Sequence, residues 1–311
     1  MTQANSKHRE WPALRPVDHW ADTLRVVHMW TQIVGKIRLE LSPWVNHSWG
    51  SALYVTPIGL STSHIPYNGS GFDIEFDFTT HELNVRTATG ESESFALKSL
   101  SVAGFYERLF DALSDLGIEV SIMARPVEVE AAIPFSEDTE EVDYDAESVH
   151  AFWKALVQVD RVFSDYRAEF VGKSSPSHFF WGAFDLAVTR FSGRKAPKHP
   201  GGAPNCADWV MEEAYSHELS SAGFWPGTGF GEPAFYAYAY PEPDGYRETE
   251  NLPDGVFYHQ ELGEYILPYN TVQGANDPDA TLKQFLQATY ESAASNADWD
   301  REKLESNFTR P

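Results

Sequence analysis

The sequence predicts an α+β fold in which a helix–antiparallel sheet–helix unit occurs twice and the two copies pack as one pseudo-twofold body. One observation is that apolar spacings of three to four residues, typical of helices, alternate with the two-residue period of strands. A second is that PWVNHSWGSALYVT at residues 43–56 resembles PSHFFWGAFDLAVT at residues 176–189. A third is that the same order of elements recurs on both sides of an acidic segment. Together these patterns favour internal duplication.

The first predicted unit covers residues 1–135. Apolar residues between Trp20 and Ile37 recur every three or four positions, which predicts an amphipathic helix over residues 17–41. FDIEFDF at residues 72–78 alternates large apolar with acidic side chains and predicts a half-buried strand. A hairpin is predicted around Thr89-Gly90, and the next apolar stripe predicts a helix that begins near residue 101 and ends near Gly117.

The second predicted unit covers residues 148–311 and is separated from the first by an acidic linker at residues 136–147. The stretch FSEDTEEVDYDAES is rich in carboxylates and poor in apolar spacing, which is typical of a solvated linker or long loop. The pattern beyond it predicts a helix at about residues 146–171, strands at 178–191, near 217–224, at 234–240 and at 262–268, and a final helix from Pro278.

The two predicted units also agree in details of their leading helices. Both helices repeat tryptophan, valine and arginine at four-residue spacing: Trp30, Val34 and Arg38 in the first, and Trp153, Val157 and Arg161 in the second. The alternative is that two unrelated segments share common short words such as Trp-Gly and Val-Thr. A duplicated unit with a half-covered sheet would bury that face against its copy, and pockets often form at such a junction.

The charge balance limits the partners of the chain. The formal net charge is −23, so the surface repels nucleic-acid phosphates and anionic membranes, and neither is expected as a partner. The single cysteine, Cys206, excludes an intramolecular disulfide and is interpreted as an ordinary thiol. No apolar run approaches transmembrane length and the first residues lack a signal-peptide core, so a cytoplasmic location is expected. The oligomeric state is left open.

Four residues of the second unit are the candidate catalytic group. Asp185 lies in an aromatic strand, where a carboxylate must be paired, hydrogen-bonded or shifted in pKa. The period of two places Trp181, Asp185 and Thr189 on one face of that strand. Asp185 can be a general acid–base or half of a structural ion pair with an arginine, and both interpretations stay open. The candidates are His178, Asp185, His217 and Glu218.

The expected binding residues and metal ligands come from the same stretches. An aromatic loop after residue 223 could form a pocket rim, and an arginine could orient an anionic group. Candidate substrate-binding residues are Trp181, Arg161, Arg190 and Trp225. A divalent metal is an alternative, because imidazole is a common ligand and several histidines are paired by the repeat. Its candidate ligands are His47, His64, His178 and His217, which lack a tight ligand spacing.

Three longer stretches carry a resemblance to a known family. They are HMWTQIVGKIRL at residues 28–39, HFFWGAFDLAVTRFSGR at residues 178–194 and YSHELSSAGFWPG at residues 215–227. The chain resembles domain of unknown function 5996, an uncharacterised bacterial family, over nearly its whole length. The resemblance implies one full-length domain unit and brings no activity, cofactor or catalytic residue to this sequence.

The resulting functional expectation is an enzyme that acts on a small molecule in an aromatic-lined pocket between the two repeats, with metal assistance as one version. The first alternative is a non-catalytic protein that binds a small molecule in the same pocket. The second is an interaction or structural protein whose acidic linker contacts a basic partner.

Overall fold

The computed structural model describes residues 10–306, and this part of the chain has an α+β fold with seven α-helices and two antiparallel sheets of six strands each. The ends of the two predicted units, residues 1–9 and 307–311, lie outside the described residues. Among residues 10–306, no helix combines the length and apolar composition needed to cross a bilayer.

Helix α1, Ala21–Leu41, precedes the first sheet and α2, Val102–Asp115, follows it, as predicted. The strands are β1 Tyr54–Val55, β2 Gly59–Ser61, β3 Ile65–Tyr67, β4 Ser70–Asp77, β5 Glu82–Thr87 and β6 Ser92–Ala96. The sheet order is β1-β2-β4-β5-β6, and β3 pairs with β4. Indole and phenyl rings from both helices and the sheet stack in one core, with the ring centre of Trp30 5.0 Å from that of Phe105 and the ring centre of Phe105 6.0 Å from that of Phe76.

Helix α3, Ala146–Ala168, precedes the second sheet. The strands of this sheet are β7 His178–Phe180, β8 Asp185–Lys195, β9 His217–Trp225, β10 Ala234–Tyr240, β11 Phe257–His259 and β12 Glu264–Pro268. Their order in the sheet is β7-β8-β9-β10-β12-β11. The remaining helices are α4 Asp208–Ala214, α5 Tyr269–Gln273, α6 Pro278–Asn296 and α7 Arg301–Leu304. The predicted final helix corresponds to α6, which Asp277 caps by accepting from the Ala280 amide.

The predicted strand at residues 178–191 is two strands joined by a turn at residues 181–184. Phe184 has a φ of +60°, which a β-strand does not accommodate, and its amide donates to the Phe180 carbonyl at 2.8 Å. The chain therefore reverses just before Asp185, and β7 pairs with β8. The expectation that Trp181 shares a strand face with Asp185 is wrong, because Trp181 lies in this turn.

The acidic segment at residues 136–147 is attached to α1 at several points. Asp138 is 8% exposed and accepts from Arg25 at 2.7 Å. The Thr23 hydroxyl donates to the Asp143 carbonyl and accepts from the Asp145 amide, both at 3.0 Å. Asp145 also caps α3 by accepting from Ser148. The segment is therefore a long loop, one of the two alternatives that its composition predicts, and it is packed against α1 at these residues.

The two halves of the chain meet along β7. Leu53, just before β1, and Phe179 of β7 exchange two backbone hydrogen bonds, at 2.9 and 2.8 Å, and this isolated bridge links the edges of the two sheets. The Trp181 indole donates to the Ser51 carbonyl at 2.9 Å and packs on Gly35 of α1. The turn at residues 181–184 is thus held by the first half of the chain.

The second sheet has one face covered by helices and one that is more open. On the covered face, Phe224 stacks on Phe152 of α3 at 5.8 Å, and α6 packs on β9 and β10. On the other face Trp225, Tyr236 and Tyr238 are half-buried. Because side chains alternate along a strand, Asp185 projects to this second face together with Ala187 and Thr189.

The contact between Gly35 and Trp181 makes a testable prediction. A Cβ at residue 35 would lie 2.2 Å from the indole. We expect Gly35→Ala to lower the free energy of unfolding by about 1–3 kcal/mol through overpacking, despite a helix propensity that favours alanine by about 1 kcal/mol. Urea unfolding followed by circular dichroism measures the change.

The matched control is Gly104→Ala in α2, where the nearest atom to a Cβ is the Ser101 hydroxyl at 3.3 Å. We expect a change within about 1 kcal/mol in either direction, since helix propensity and a mild contact oppose each other. Equal effects of the two substitutions would contradict the packing account of residue 35.

Candidate functional site

Asp185 is the centre of the polar group on the open face of the second sheet. Its side chain is 6% exposed and accepts a short hydrogen bond from the Tyr236 hydroxyl. The pKa of Asp185 is raised from 3.8 to about 7: burial is the main cause and the nearby Glu128 carboxylate adds to it, whereas the hydrogen bonds from Tyr236 and the backbone partly offset the increase. At neutral pH this carboxyl group is therefore near the midpoint of its titration.

Tyr236 reaches Asp185 across β9 because residue 223 has no side chain. Gly223 pairs with Tyr236 on one side and with Ala187 on the other. A Cβ at residue 223 would lie 2.2 Å from the Tyr236 ring, so the ring lies flat over the Gly223 backbone. The glycine thus permits the contact between the phenol and the carboxyl group.

Two further carboxyl groups border Asp185. Burial and the Asp185 charge raise the pKa of Glu264, on β12, to about 7. Glu128 is exposed to solvent as a residue, but burial of its carboxyl group raises the pKa of that group. The Glu128 carboxylate packs against Gly182. Within residues 10–306, none of these three acids forms an ion pair with a basic side chain. The site is therefore acidic and lacks a neutralising cation.

Tyrosines and other aromatic residues complete this face. The Tyr215 and Tyr238 hydroxyls are 2.9 Å apart, and burial raises the pKa of both, so both remain protonated hydrogen-bond donors. The Trp225 ring lies 5.7 Å from the Tyr236 ring and 5.7 Å from the Phe230 ring. We call this set the Asp185 cluster, and its members are Glu128, Asp185, Tyr215, Trp225, Tyr236, Tyr238 and Glu264.

The first half of the chain borders the cluster through α1. The Gln32 side-chain amide donates to the Val127 carbonyl at 2.8 Å and accepts from its amide at 2.9 Å, which fixes the neighbouring Glu128. Lys36, one helical turn further along, is 6% exposed, and burial lowers its pKa. Cys206 is half-buried and its thiol pKa is raised, by burial first and by Glu128 second. A protonated thiol agrees with the interpretation of Cys206 as an ordinary cysteine.

Backbone strain is present on both sides of the cluster. Glu128 has a φ of +59° and Phe184, the residue before Asp185, has a φ of +60°. Residues other than glycine rarely adopt this backbone conformation, and residues that do adopt it cluster at functional sites. Hydrogen bonds hold both: the Glu128 amide donates to the Pro204 carbonyl, and the Phe184 amide donates to the Phe180 carbonyl.

His217 and Glu218 do not join Asp185. They are consecutive in β9 and therefore project to opposite faces of the sheet. Asp185 is level with Trp225, and the eight residues from there to His217 span about 26 Å at about 3.3 Å per residue. Glu218 pairs with Arg194 at 2.6 Å and lines a separate cavity of about 340 Å³.

Neither of the predicted arginines reaches Asp185. Arg190 is 1% exposed on the covered face, where it donates to the Tyr166 carbonyl and its guanidinium lies 3.5 Å from the Tyr166 ring centre. Arg161 pairs with Asp279 at 2.6 Å and links α3 to α6. The expected arginine partner of Asp185 is therefore absent from the described contacts, because alternation along β8 sends Arg190 to the opposite face.

The structure separates the four candidate metal-binding histidines. His178 is fully buried, its two ring nitrogens contact no hydrogen-bond partner within residues 10–306, and burial, then Arg38, lower its pKa to about 3. His64 is exposed on the first sheet beside a cavity of about 320 Å³.

The other two histidines are neighbours, with ring centres 6.2 Å apart. His47 Nδ1 donates to the Ala214 carbonyl at 3.0 Å, which leaves Nε2 to accept from Lys173 at 2.6 Å. Burial, then Lys173, lower the pKa of His47 to about 4. In the described part of the chain no group of three or more His, Cys, Asp or Glu residues is arranged to hold a metal ion. The four histidines therefore do not form one common ligand set there.

The Asp185 cluster also contains residues that the sequence did not predict as site residues. For some of them the sequence carries a weak indication. FYAYAY places Tyr236 and Tyr238 two residues apart, so they share a strand face. Glu264 interrupts the apolar run of the last strand, ELGEYIL. Glu128 has no comparable signal, because its place depends on a segment without regular structure.

Comparison with protein families gives the affiliation of the chain. Residues 11–306 match DUF5996, a family of unknown function, and the chain therefore belongs to this family. No curated protein and no solved structure matches the chain.

The raised pKa of Asp185 makes a prediction for stability. The folded-state pKa exceeds the ordinary value, so the stability associated with protonated Asp185 is present at pH 4 and is lost as the pH rises through 7. We expect Asp185→Asn to gain about 4 kcal/mol relative to the native chain between pH 4 and pH 8, at about 1.4 kcal/mol per pKa unit. Urea unfolding across this range measures the difference.

A matched substitution at Asp111, an exposed residue of α2, provides the control. The change with pH should be larger for Asp185→Asn than for Asp111→Asn. The same change with pH in both variants would contradict the raised pKa of Asp185.

The position of Tyr236 makes a second prediction. Because its hydrogen bond lowers the pKa of Asp185, Tyr236→Phe should raise that pKa above 7. Gly223→Ala should do the same by displacing the ring. Carboxyl ¹³C NMR titration measures both, and combining the substitutions should add nothing further. A lowered or unchanged pKa in both variants would contradict the arrangement.

Proposed function

We propose that this protein is an enzyme that acts on a small molecule in an aromatic-lined cleft between the two halves of the chain, with Asp185 as its general acid–base. One observation carries the proposal: Asp185 is 6% exposed, lacks a cationic partner in residues 10–306, and has a pKa of about 7. A structural buried carboxylate is normally paired with a cation or with several donors. A carboxyl group that titrates near neutral pH is suited to proton transfer.

The neighbouring acid extends this argument. Glu264 also has a pKa of about 7, which burial and then the Asp185 carboxylate raise. Such a pair titrates in two coupled steps, so around neutral pH the pair holds one proton over part of the range. A base and an acid are then available in the same site at the same pH.

The contacts support a role for each group. The Tyr236 hydroxyl donates to Oδ2 of Asp185 and so orients the carboxyl group that exchanges a proton with the substrate. The Tyr215 and Tyr238 hydroxyls bond to each other, so one of their two protons is left to be donated to a substrate oxygen. The rings of Trp225 and Phe230 supply an apolar wall for the rest of the molecule. Proton transfer at a carbon or oxygen atom is the reaction class that these groups serve.

We also propose that the two halves arose by duplication and that the chain works in the cytoplasm without nucleic-acid or membrane partners. A long helix precedes a six-stranded antiparallel sheet in both halves, which supports duplication. The two sheets differ in how their strands pair, because β4 pairs with the next strand, β5, in the first sheet, whereas β10 pairs with β12 in the second. The net charge of −23 supports the absence of anionic partners.

A ligand screen followed by product analysis tests the proposal. Small molecules that raise the melting temperature are incubated with the protein, and products are identified by mass spectrometry. We expect turnover with a rate inflection near pH 7, and a loss of about 10²–10⁴-fold in Asp185→Asn, the usual range for a general acid–base.

Asp111→Asn again serves as control and should retain the native rate. Native turnover by Asp185→Asn would overturn the acid–base role. Ligands that stabilise the protein without any product would overturn the enzyme proposal and favour a binding protein.

A further inference from the structure

A second concave region lies at the end of the second sheet that is remote from Asp185. It is the cavity of about 340 Å³ that Arg194 and Glu218 line, together with residues from the end of β10 and the end of α6. Glu218 is seven residues along β9 from Trp225, which is level with Asp185, and this distance is about 23 Å at about 3.3 Å per residue. The cavity shares no lining residue with the Asp185 cluster. It is therefore a candidate site of its own.

The charged part of the cavity wall is the ion pair between Arg194 and Glu218. Oε2 of Glu218 accepts from Nε of Arg194 at 2.8 Å and lies 2.6 Å from Nη2. The guanidinium also donates to the carbonyls of Ala297 and Asp298, which follow the last turn of α6. These contacts hold both charges in a fixed place between the sheet and the helix.

Both members of the pair keep hydrogen-bonding capacity for a ligand. Nη1 of Arg194 carries two hydrogens, and its printed contact within residues 10–306 is one bond, to the Asp298 carbonyl at 3.2 Å. Glu218 accepts from Ser192 and Arg194 through Oε2, and its Oε1 accepts no hydrogen bond within the same residues. One donor and one acceptor of opposite charge are thus left over on neighbouring side chains.

The rest of the cavity wall is aromatic and apolar. The rings of Tyr240 and Trp299 contribute to it, and Trp299 is only 7% exposed. The Arg194 side chain is 48% exposed, so solvent reaches the cavity at its charged end. A mainly apolar wall with a few polar groups at one end is typical of small-molecule sites. The other apolar lining residues are Leu219, Ala239, Pro241, Pro243, Ala293 and Ala297.

We propose that this cavity binds a zwitterionic amino acid that has an apolar side chain. The ligand lies antiparallel to the ion pair, so that its carboxylate accepts from the remaining Nη1 hydrogen of Arg194 and its ammonium group donates to Oε1 of Glu218. The apolar side chain of the ligand packs against the aromatic and apolar wall.

The ion pair itself selects for a zwitterion. A ligand with a single charge is attracted by one member of the pair and repelled by the other, so the two effects largely cancel. A zwitterion in the antiparallel orientation is attracted by both members. The site does not use Asp185, and this inference is therefore independent of the proposed function.

Isothermal titration calorimetry with three matched ligands tests the proposal on the full chain. L-Phenylalanine carries both charges, 2-phenylethylamine lacks the carboxylate, and 3-phenylpropionate lacks the ammonium group. We expect L-phenylalanine to bind at least about tenfold more tightly than either analogue, because charge-assisted hydrogen bonds form at both of its ends. Equal affinities of the three ligands, or no binding of L-phenylalanine, would overturn the proposal.

A variant of the ion pair gives a result of opposite sign for two of these ligands. Glu218→Gln should weaken binding of L-phenylalanine about tenfold. It should strengthen binding of 3-phenylpropionate, since the repulsion by the Glu218 carboxylate is removed. The matched control is Glu212→Gln, which breaks the ion pair with Lys198 outside the cavity and should change neither affinity. Unchanged affinities in Glu218→Gln would also overturn the proposal.

Two further variants locate the ligand. Ala297→Phe places a ring at the cavity wall, leaves both charges in place and should abolish binding of L-phenylalanine. It also provides the test if a thermal melt shows that Glu218→Gln does not fold. Asp185→Asn should bind L-phenylalanine with native affinity. Native affinity in Ala297→Phe, or loss of binding in Asp185→Asn, would place the ligand elsewhere and contradict the proposal.

Discussion

The turn at residues 181–184 is the constraint on which the rest of the structure depends. Trp181 donates to Ser51 and packs on Gly35, so the turn is bound to the first half of the chain. Gly182 accepts from His28 and supports Glu128. The left-handed Phe184 then directs the chain into β8 at Asp185. One short turn thus joins the halves and places the buried carboxyl group between them.

The electrostatics of the Asp185 cluster follow from this placement. Burial opposes ionisation of Asp185, and the hydrogen bonds from the Tyr236 phenol and the backbone compensate only part of that cost. Two other buried acids have cationic partners: Asp138 accepts from Arg25, and Glu75 accepts from Arg86. Asp185 has no such partner within residues 10–306, and this contrast with Asp138 and Glu75 is one reason to regard the cluster as functional.

Local sequence patterns predicted the long helices and most strands, because buried residues recur along a helix or a strand at the same period as the apolar residues in the sequence. They also selected Asp185 and Trp225, which the structure places side by side. They did not reveal the turn before Asp185, whose left-handed residue is held by contacts from α1. The prediction placed His217 and Glu218 in one site, although consecutive residues of a strand project to opposite faces of the sheet. Glu128 could not be found from sequence, since its proximity to Asp185 depends on tertiary packing.

The most direct test of this account is the titration of Asp185 in the native protein by carboxyl ¹³C NMR. The carboxyl group of Asp185 is buried, bonded to Tyr236 and without a cationic partner in residues 10–306. The account predicts a pKa of about 7, with a second, coupled titration near the same pH from Glu264. A pKa near 3.8 for Asp185 would show that an unseen donor or cation neutralises the site, and would contradict the account.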